Sequence, residues 1–192
     1  YAKKGSDVNI DNWTFNNNGN AAEEVRSEEG KANINATLKE LKPKMVLSHV
    51  INGETSISSS TTVVSVDDLP YKAAANIGLM AEGIKNPAMT WVKGNYEIVN
   101  DGIINFSAEK STAIYVNSAR VKNNKDIKVG KNSTAIYGFY DKNTRKYDGA
   151  PTSSDPNKLT VETTATSNIS LGDSSTGMYL INAETVTNAT GS

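Results

Sequence analysis

The chain has 192 residues, enough for one domain with a sizeable core, and its 20 Lys and Arg against 21 Asp and Glu give a net charge of -1. That balance points to neither nucleic acid nor an acidic substrate. The absence of Cys excludes disulfides, zinc–thiolate sites and Cys nucleophiles, and a single His, His49, makes a His-based metal site or a Ser-His-Asp triad a poor expectation.

Asn, Ser and Thr supply 60 of the 192 residues, a composition that favours short strands and turns. No apolar run approaches the ~18 residues that a membrane-crossing helix needs. The chain opens at Tyr1 without a basic-then-apolar leader, and it stops inside a recurring pattern. We read it as a piece of something longer.

In chain order, Asp7 to Phe15 alternates Val8 and Ile10, then Trp13 and Phe15, which predicts a strand before a turn at 16–19. Asn20 with Glu23 resembles a capping box. Ile34, Leu38, Leu41 and Met45 recur at helical spacing, with Pro43 closing the pattern, so a helical excursion is expected over roughly 21–42. Val46 to Val66 returns to strand, with His49 as a packed strand residue and 58–62 as turn or exposed strand. Asp67-Asp68 reads as a turn before Leu69-Pro70.

Self-similarity carries most of the information. Residues 111–115 and 133–137 both read STAIY, and 175–179 read STGMY. An apolar-x-apolar segment precedes each later copy or its equivalent: Ile104-Asn105-Phe106, Ile127-Lys128-Val129 and Ile169-Ser170-Leu171. Aligning Val99 with Val121 gives a spacing of 22, and removing an 18-residue polar insertion at 141–158 brings Val121 to Val161 to the same value. A weaker upstream copy matches Leu69-Pro70-Tyr71 to Ile104-Asn105-Phe106 and residues 76–80 to 111–115.

A unit of ~22 residues holding only short alternating segments and turns predicts stacked coils. One coil cannot bury its own apolar side, so neighbours must share a core. The expected fold is all-β, a right-handed parallel β-helix with a short helical insertion near the N-terminus. Residues 1–56 would hold the N-terminal strand and the helical excursion docked on the solenoid. Residues 57–192 would hold the coils, with loop insertions at 82–95 and 141–158. Ile104, Ile127 and Ile169 would form one interior ladder, Phe106, Val129 and Leu171 a second, and Ile114, Ile136 and Met178 a third. The side on which Tyr115, Tyr137 and Tyr179 stack stays open.

The motif I-x-[LV]-G-x-[NS]-S-T-[AG]-[IM]-Y, at 127–137 and 169–179, resembles the coils of type V autotransporter passengers, in particular the large fusobacterial surface adhesins. The likeness is clear over about 99–192, degenerate over 57–98 and weak over 1–56. It implies a β-helix displayed outside a Gram-negative cell, tied to the outer membrane by a C-terminal barrel that is not in this chain. It also implies attachment to a host-cell surface protein, a glycan or partner bacteria. A non-binding spacer stalk is the alternative.

The insertion at 141–158 is the first candidate for contact. Lys142, Arg145, Lys146, Tyr147 and Asp148 bring charge and an aromatic ring together on a polar loop held by a stiff scaffold. Residues 110–158 also carry 10 Lys and Arg against 4 Asp and Glu, a basic band that would attract an anionic partner or simply stay solvated. Trp13 and Trp91 are either packed against loop bases or exposed anchors. A polysaccharide-degrading β-helix is the least expected reading, because clustered carboxylates on one face are lacking. No enzyme activity, cofactor, metal or nucleic-acid partner is expected, and the fragment is expected to be monomeric.

Overall fold

In the computed structural model the described residues are 4–17, 23–40, 46–65, 76–83, 95–140 and 156–189. Every regular element among them is a strand: β1 (Val8–Asn17), β2 (Glu23–Glu28), β3 (Lys31–Glu40), β4 (Val46–Ile51), β5 (Glu54–Ile57), β6 (Thr62–Ser65), β7 (Asn76–Glu82), β8 (Glu97–Asn100), β9 (Ile103–Phe106), β10 (Ser111–Asn117), β11 (Arg120–Asn123), β12 (Ile127–Val129), β13 (Thr134–Phe139), β14 (Thr160–Thr163), β15 (Ile169–Leu171), β16 (Thr176–Ile181) and β17 (Thr185–Asn188). All of their pairings are parallel. Six strands form one sheet in the order β16-β13-β10-β7-β4-β2, and eleven form the other. In the larger sheet β3 is a branch point. Its first half pairs with β5 and its second half with β6, and the order runs outward from there as β8-β11-β14-β17 on one side and β9-β12-β15 on the other.

Register follows the apolar ladders. Ile127 faces Ile104 and Ile169 directly, and the column continues through Val63, Leu38 and Phe15. Val129 faces Phe106 and Leu171, and Ile136 faces Ile114 and Met178. Leu38, Val63, Ile104, Phe106, Ile114, Ile127 and Ile136 are fully buried. Each such side chain contributes about 1.5–3 kcal/mol relative to exposure. Period-2 alternation supplies the rest of the inner surface, as in β11 and β14, where Val121 and Val161 point inward and Lys122 and Glu162 outward.

The predicted helical excursion over 21–42 is not seen in the described part of that range, which holds β2 and β3. Ile34 and Leu38 lie four apart, a spacing shared by a helix face and a strand face. The intervening Ala32 and Ala36 decide the matter, because all four are buried together, as only period 2 allows. Leu41, Pro43 and Met45 lie outside the described residues.

Two alignments also shift. Val121 pairs with Ile98, and Val99 pairs with Lys122. The true offset of 23 keeps Ile98 inside, whereas an offset of 22 would bury the outward Val99. The partner of Ile104 in the preceding repeat is Val63, and that of Phe106 is Ser65; residues 69–71 lie outside the described set.

Corners repeat as regularly as strands. Glu29-Gly30, Asn52-Gly53 and Ser118-Ala119 each join a strand of the smaller sheet to one of the larger, and Asn182 opens the equivalent corner before β17. Glu29, Asn52, Ser118 and Asn182 all adopt φ between 51° and 57°. Lys110, Asn132 and Ser174 do the same at the corner that leads back into the smaller sheet. Asn tolerates this region better than most residues, which accounts for part of its abundance. At Gly78 the reason is space: a Cβ there would lie 2.7 Å from the carbonyl oxygen of Ala113.

Two polar ladders run inside. Asn100 Nδ2 donates to Asn123 Oδ1 at 2.7 Å, and Asn123 Nδ2 donates to the Lys125 carbonyl at 2.6 Å. The Ser111 N–H donates to Ser133 Oγ at 3.0 Å, and the Ser133 N–H donates to Ser175 Oγ at 3.1 Å. These satisfy buried corner groups that would otherwise be desolvated without partners.

Candidate binding surface

The five positions singled out in the polar insertion, Lys142, Arg145, Lys146, Tyr147 and Asp148, lie outside the described residues, as does Trp91. The base of the insertion is well defined. Tyr140, Asn157 and Leu159 are buried where the chain leaves and returns. The Tyr140 N–H donates to the Ile181 carbonyl at 3.0 Å, and Asn182 Nδ2 donates to the Tyr140 carbonyl at 3.1 Å. Lys158 Nζ meets Glu184 Oε1 at 2.5 Å.

The insertion at 82–95 has its base at the same corner. Strand β7 ends at Glu82 and β8 resumes at Glu97, in the position that two-residue links occupy in the plain repeats. The insertions therefore leave from alternate repeats, with the tight Ser118-Ala119 corner between them. Their bases are joined: the Tyr96 N–H donates to the buried Asn157 Oδ1 at 2.7 Å, across the intervening repeat. The Arg120 N–H of that repeat donates to the Tyr96 carbonyl at 2.9 Å, and the Arg120 guanidinium lies 3.8 Å from Glu97. The sequence shows two separate insertions, whereas the register makes their bases neighbours.

Among the described residues, the cations of the basic band are spread over several sides. Lys122 is exposed on β11, Lys125 at the following corner, Lys128 on β12, and Lys110 and Lys131 at the corner before the smaller sheet. A run of sequence that traverses one repeat visits every outer side in turn, so its cations are spread out. Lys131 is also offset by Asp173 at 3.7 Å, with both side chains largely exposed. Screening makes such a pair worth little.

The outer side of the smaller sheet is the most regular wall. Tyr115, Tyr137 and Tyr179 are in register and point outward, which settles their side. Their rings stack with centroids 5.5 Å and 5.4 Å apart and interplanar angles of 2° and 13°. Phe139 meets Tyr115 and Tyr137 edge-on at 6.1 Å and 6.4 Å. Thr112, Thr134 and Thr176 form a parallel row, and Met80 and His49 continue the tyrosine column. His49 is buried, with Nε2 3.0 Å from Glu82 Oε2, as expected for a satisfied strand residue.

Burial pushes the Tyr115 hydroxyl up to about 12, and nearby Glu82 and Tyr137 add to the shift. The folded protein thus holds this proton more tightly than an ordinary tyrosine at 10.0. Stability from this source is complete below pH 10 and is lost as pH rises toward 12. Alkaline denaturation should therefore be less steep in Tyr115→Phe than in the parent, measured as urea midpoint against pH.

Two shallow depressions lie among the described residues. One, of about 400 Å³, is lined by Glu109, Lys128, Lys131, Leu171 and Asp173. The other, of about 350 Å³, follows outward rows of Asn9 and Asn33, and of Asp11, Asn35 and Ser58. Asn33 Nδ2 donates to Asn9 Oδ1 at 2.7 Å, and Ser58 Oγ donates to Asn35 Oδ1 at 3.0 Å, so these groups are engaged along the wall. Trp13 lies nearby in sequence, stacked on Phe15 at 5.8 Å yet 64% exposed, an anchor-like placement. The missed Asn100/Asn123 ladder had a signal in the sequence, an offset of 23, whereas the stacking of the three tyrosines was read and only its side was open. Comparison with family models, curated proteins and solved structures gives no match for this chain.

Proposed function

We propose that the chain is a segment of a right-handed parallel β-helix displayed at a Gram-negative cell surface, of the autotransporter-passenger kind, and that it serves attachment. The fold part of this reading is supported by three strand stretches per repeat, each paired in register with its counterpart before and after. Coiling of the chain around the shared aliphatic columns accounts for that pattern. The function part rests on one observation: two insertions leave the same corner and are tied together at their bases by Tyr96 and Asn157. A stiff stack carries the folding burden and leaves those loops free to make contacts. Many such weak contacts sum when the rod is displayed in many copies. Host-cell proteins, glycans and other bacteria are the partner classes.

The spacer reading is favoured by the plain N-terminal corners at Glu29-Gly30 and Asn52-Gly53, which present no loop. Binding of the isolated chain to host cells and to a glycan array separates the two. Attachment predicts binding that falls at least ~10-fold on removal of 141–158 or on reversal of Lys142, Arg145 and Lys146 to Glu, a loss typical of removing a few central contacts. A spacer predicts no binding and no effect of either change.

A further inference from the structure

The side wall of the larger sheet has a step. Between the paired positions Ile34/Ile57 and Thr37/Thr62, β3 uses two residues, Asn35 and Ala36, where the next repeat uses four, 58–61. The surplus stands out from the straight strands β1 and β3 as a ledge, with Ser59 and Ser60 exposed. Thr61 Oγ1 pins the ledge to β3: it donates to the Ile34 carbonyl at 2.7 Å and accepts from the Ala36 N–H at 3.2 Å. At its foot lies the depression of about 350 Å³, which crosses four successive repeats from Asp11 through Asn35 and Ser58 to Asp101. The depression opens sideways. Further repeats stacked on either end would lengthen its rows and leave it open.

We propose that this depression binds a neutral, linear oligosaccharide lying along the stack. The site is separate from the insertions and stands or falls without them. Its side chains are locked by bonds that run from one repeat to the next. Asn33 Nδ2 donates to Asn9 Oδ1, Asn35 Nδ2 to Asp11 Oδ1, Ser58 Oγ to Asn35 Oδ1, and Asn124 Nδ2 to Asp101 Oδ1. These bonds use one N–H of each amide and one oxygen of each carboxylate, and each such group has capacity for more. The remaining donors and acceptors are held in fixed directions before a ligand arrives, which lowers the entropy lost on binding.

A sugar hydroxyl both donates and accepts, and this wall offers both functions side by side. Equivalent groups recur about every 4.8 Å along the stack, so successive rings of an extended chain meet successive repeats. Charge selects within the sugars. The lining carries Asp11 and Asp101 and no Lys or Arg, so hydroxyls are favoured and sulfated or carboxylated chains are repelled. The lining also holds no aromatic ring, and its volume is at the small end for a ligand site, so a Kd on the order of 0.1–1 mM is expected.

Nuclear magnetic resonance titration of the isotope-labelled 192-residue chain tests the proposal. The probes are soluble β-1,4-linked tetramers of glucose and of N-acetylglucosamine, beside a sulfated heparin tetramer. The side-chain amide signals of Asn33 and Asn35 should shift and saturate with a neutral tetramer and stay in place with the sulfated one. Followed at the Ser58 backbone amide, affinity should fall at least ~10-fold in Asn33→Ala with Asn35→Ala and in Asp101→Lys, with circular dichroism matching the parent. Removal of 141–158 should leave it unchanged. No saturable shift with either neutral tetramer, an equal response to the sulfated one, or full affinity in both variants overturns the proposal. Binding that disappears with 141–158 also overturns it, and leaves the attachment reading of the insertions standing.

Discussion

Phe106→Ala should lower folding stability by ~3–5 kcal/mol, whereas Leu171→Ala, two repeats along the same column, should cost less than about 1 kcal/mol. Phe106 is the larger side chain, but the difference in cover dominates. Phe106 is fully buried beneath Val129, while Leu171 has no described strand beyond it and is 47% exposed. Removing a phenyl ring from a closed column leaves a cavity that rigid strands on either side cannot fill by sliding. Urea unfolding of the two variants beside the parent measures the contrast. Equal losses would mean that the column is not shared.

The second large effect lies in the buried Asn ladder. Asn123→Ala should cost ~1–3 kcal/mol, because it orphans both the Asn100 amide and the Lys125 carbonyl. Asn123→Asp should cost more at neutral pH. Its carboxylate still accepts from Asn100, but it faces the Lys125 carbonyl with no proton to donate, in a site with no exposure. Protonation restores that donor, so the Asp variant should recover stability relative to Asn123→Ala as pH falls toward ~4. Thermal unfolding across that range checks the crossover. A pH-independent gap between the two variants would place the ladder elsewhere than in a buried donor chain.

These two residues also show what could be read in advance. The Ile104, Ile127 and Ile169 ladder was legible because its repeats keep both residue type and flanking STAIY motif, and alternation then fixes the inner face. Asn123 was not, because aligning Val99 with Val121 slipped the register by one, and a slip of one exchanges inside for outside. The β3 strand was misread as helix for a related reason. Ile34 and Leu38 satisfy both periods, and only the small Ala32 and Ala36, weak signals in any hydropathy count, reveal the strand. The tyrosine column was visible as a repeat, but its side depended on a local irregularity. Ala113 and Ile114 are both buried, so simple alternation fails just before Tyr115. The joined bases of the two insertions were illegible in principle, since their proximity comes from stacking across a repeat and not from sequence.

Engineered disulfides test the stacking itself most directly, in a chain that has no Cys of its own. Asn105, Lys128 and Ser170 occupy one in-register column on β9, β12 and β15. Adjacent positions in a parallel ladder are ~4.8 Å apart, within disulfide reach, while positions two repeats apart are about 10 Å and beyond it. Asn105→Cys with Lys128→Cys, and Lys128→Cys with Ser170→Cys, should each oxidise to an intramolecular bond in the folded monomer. Asn105→Cys with Ser170→Cys should remain reduced. Ready closure of that last pair, or failure of both neighbouring pairs, would contradict the stacked register.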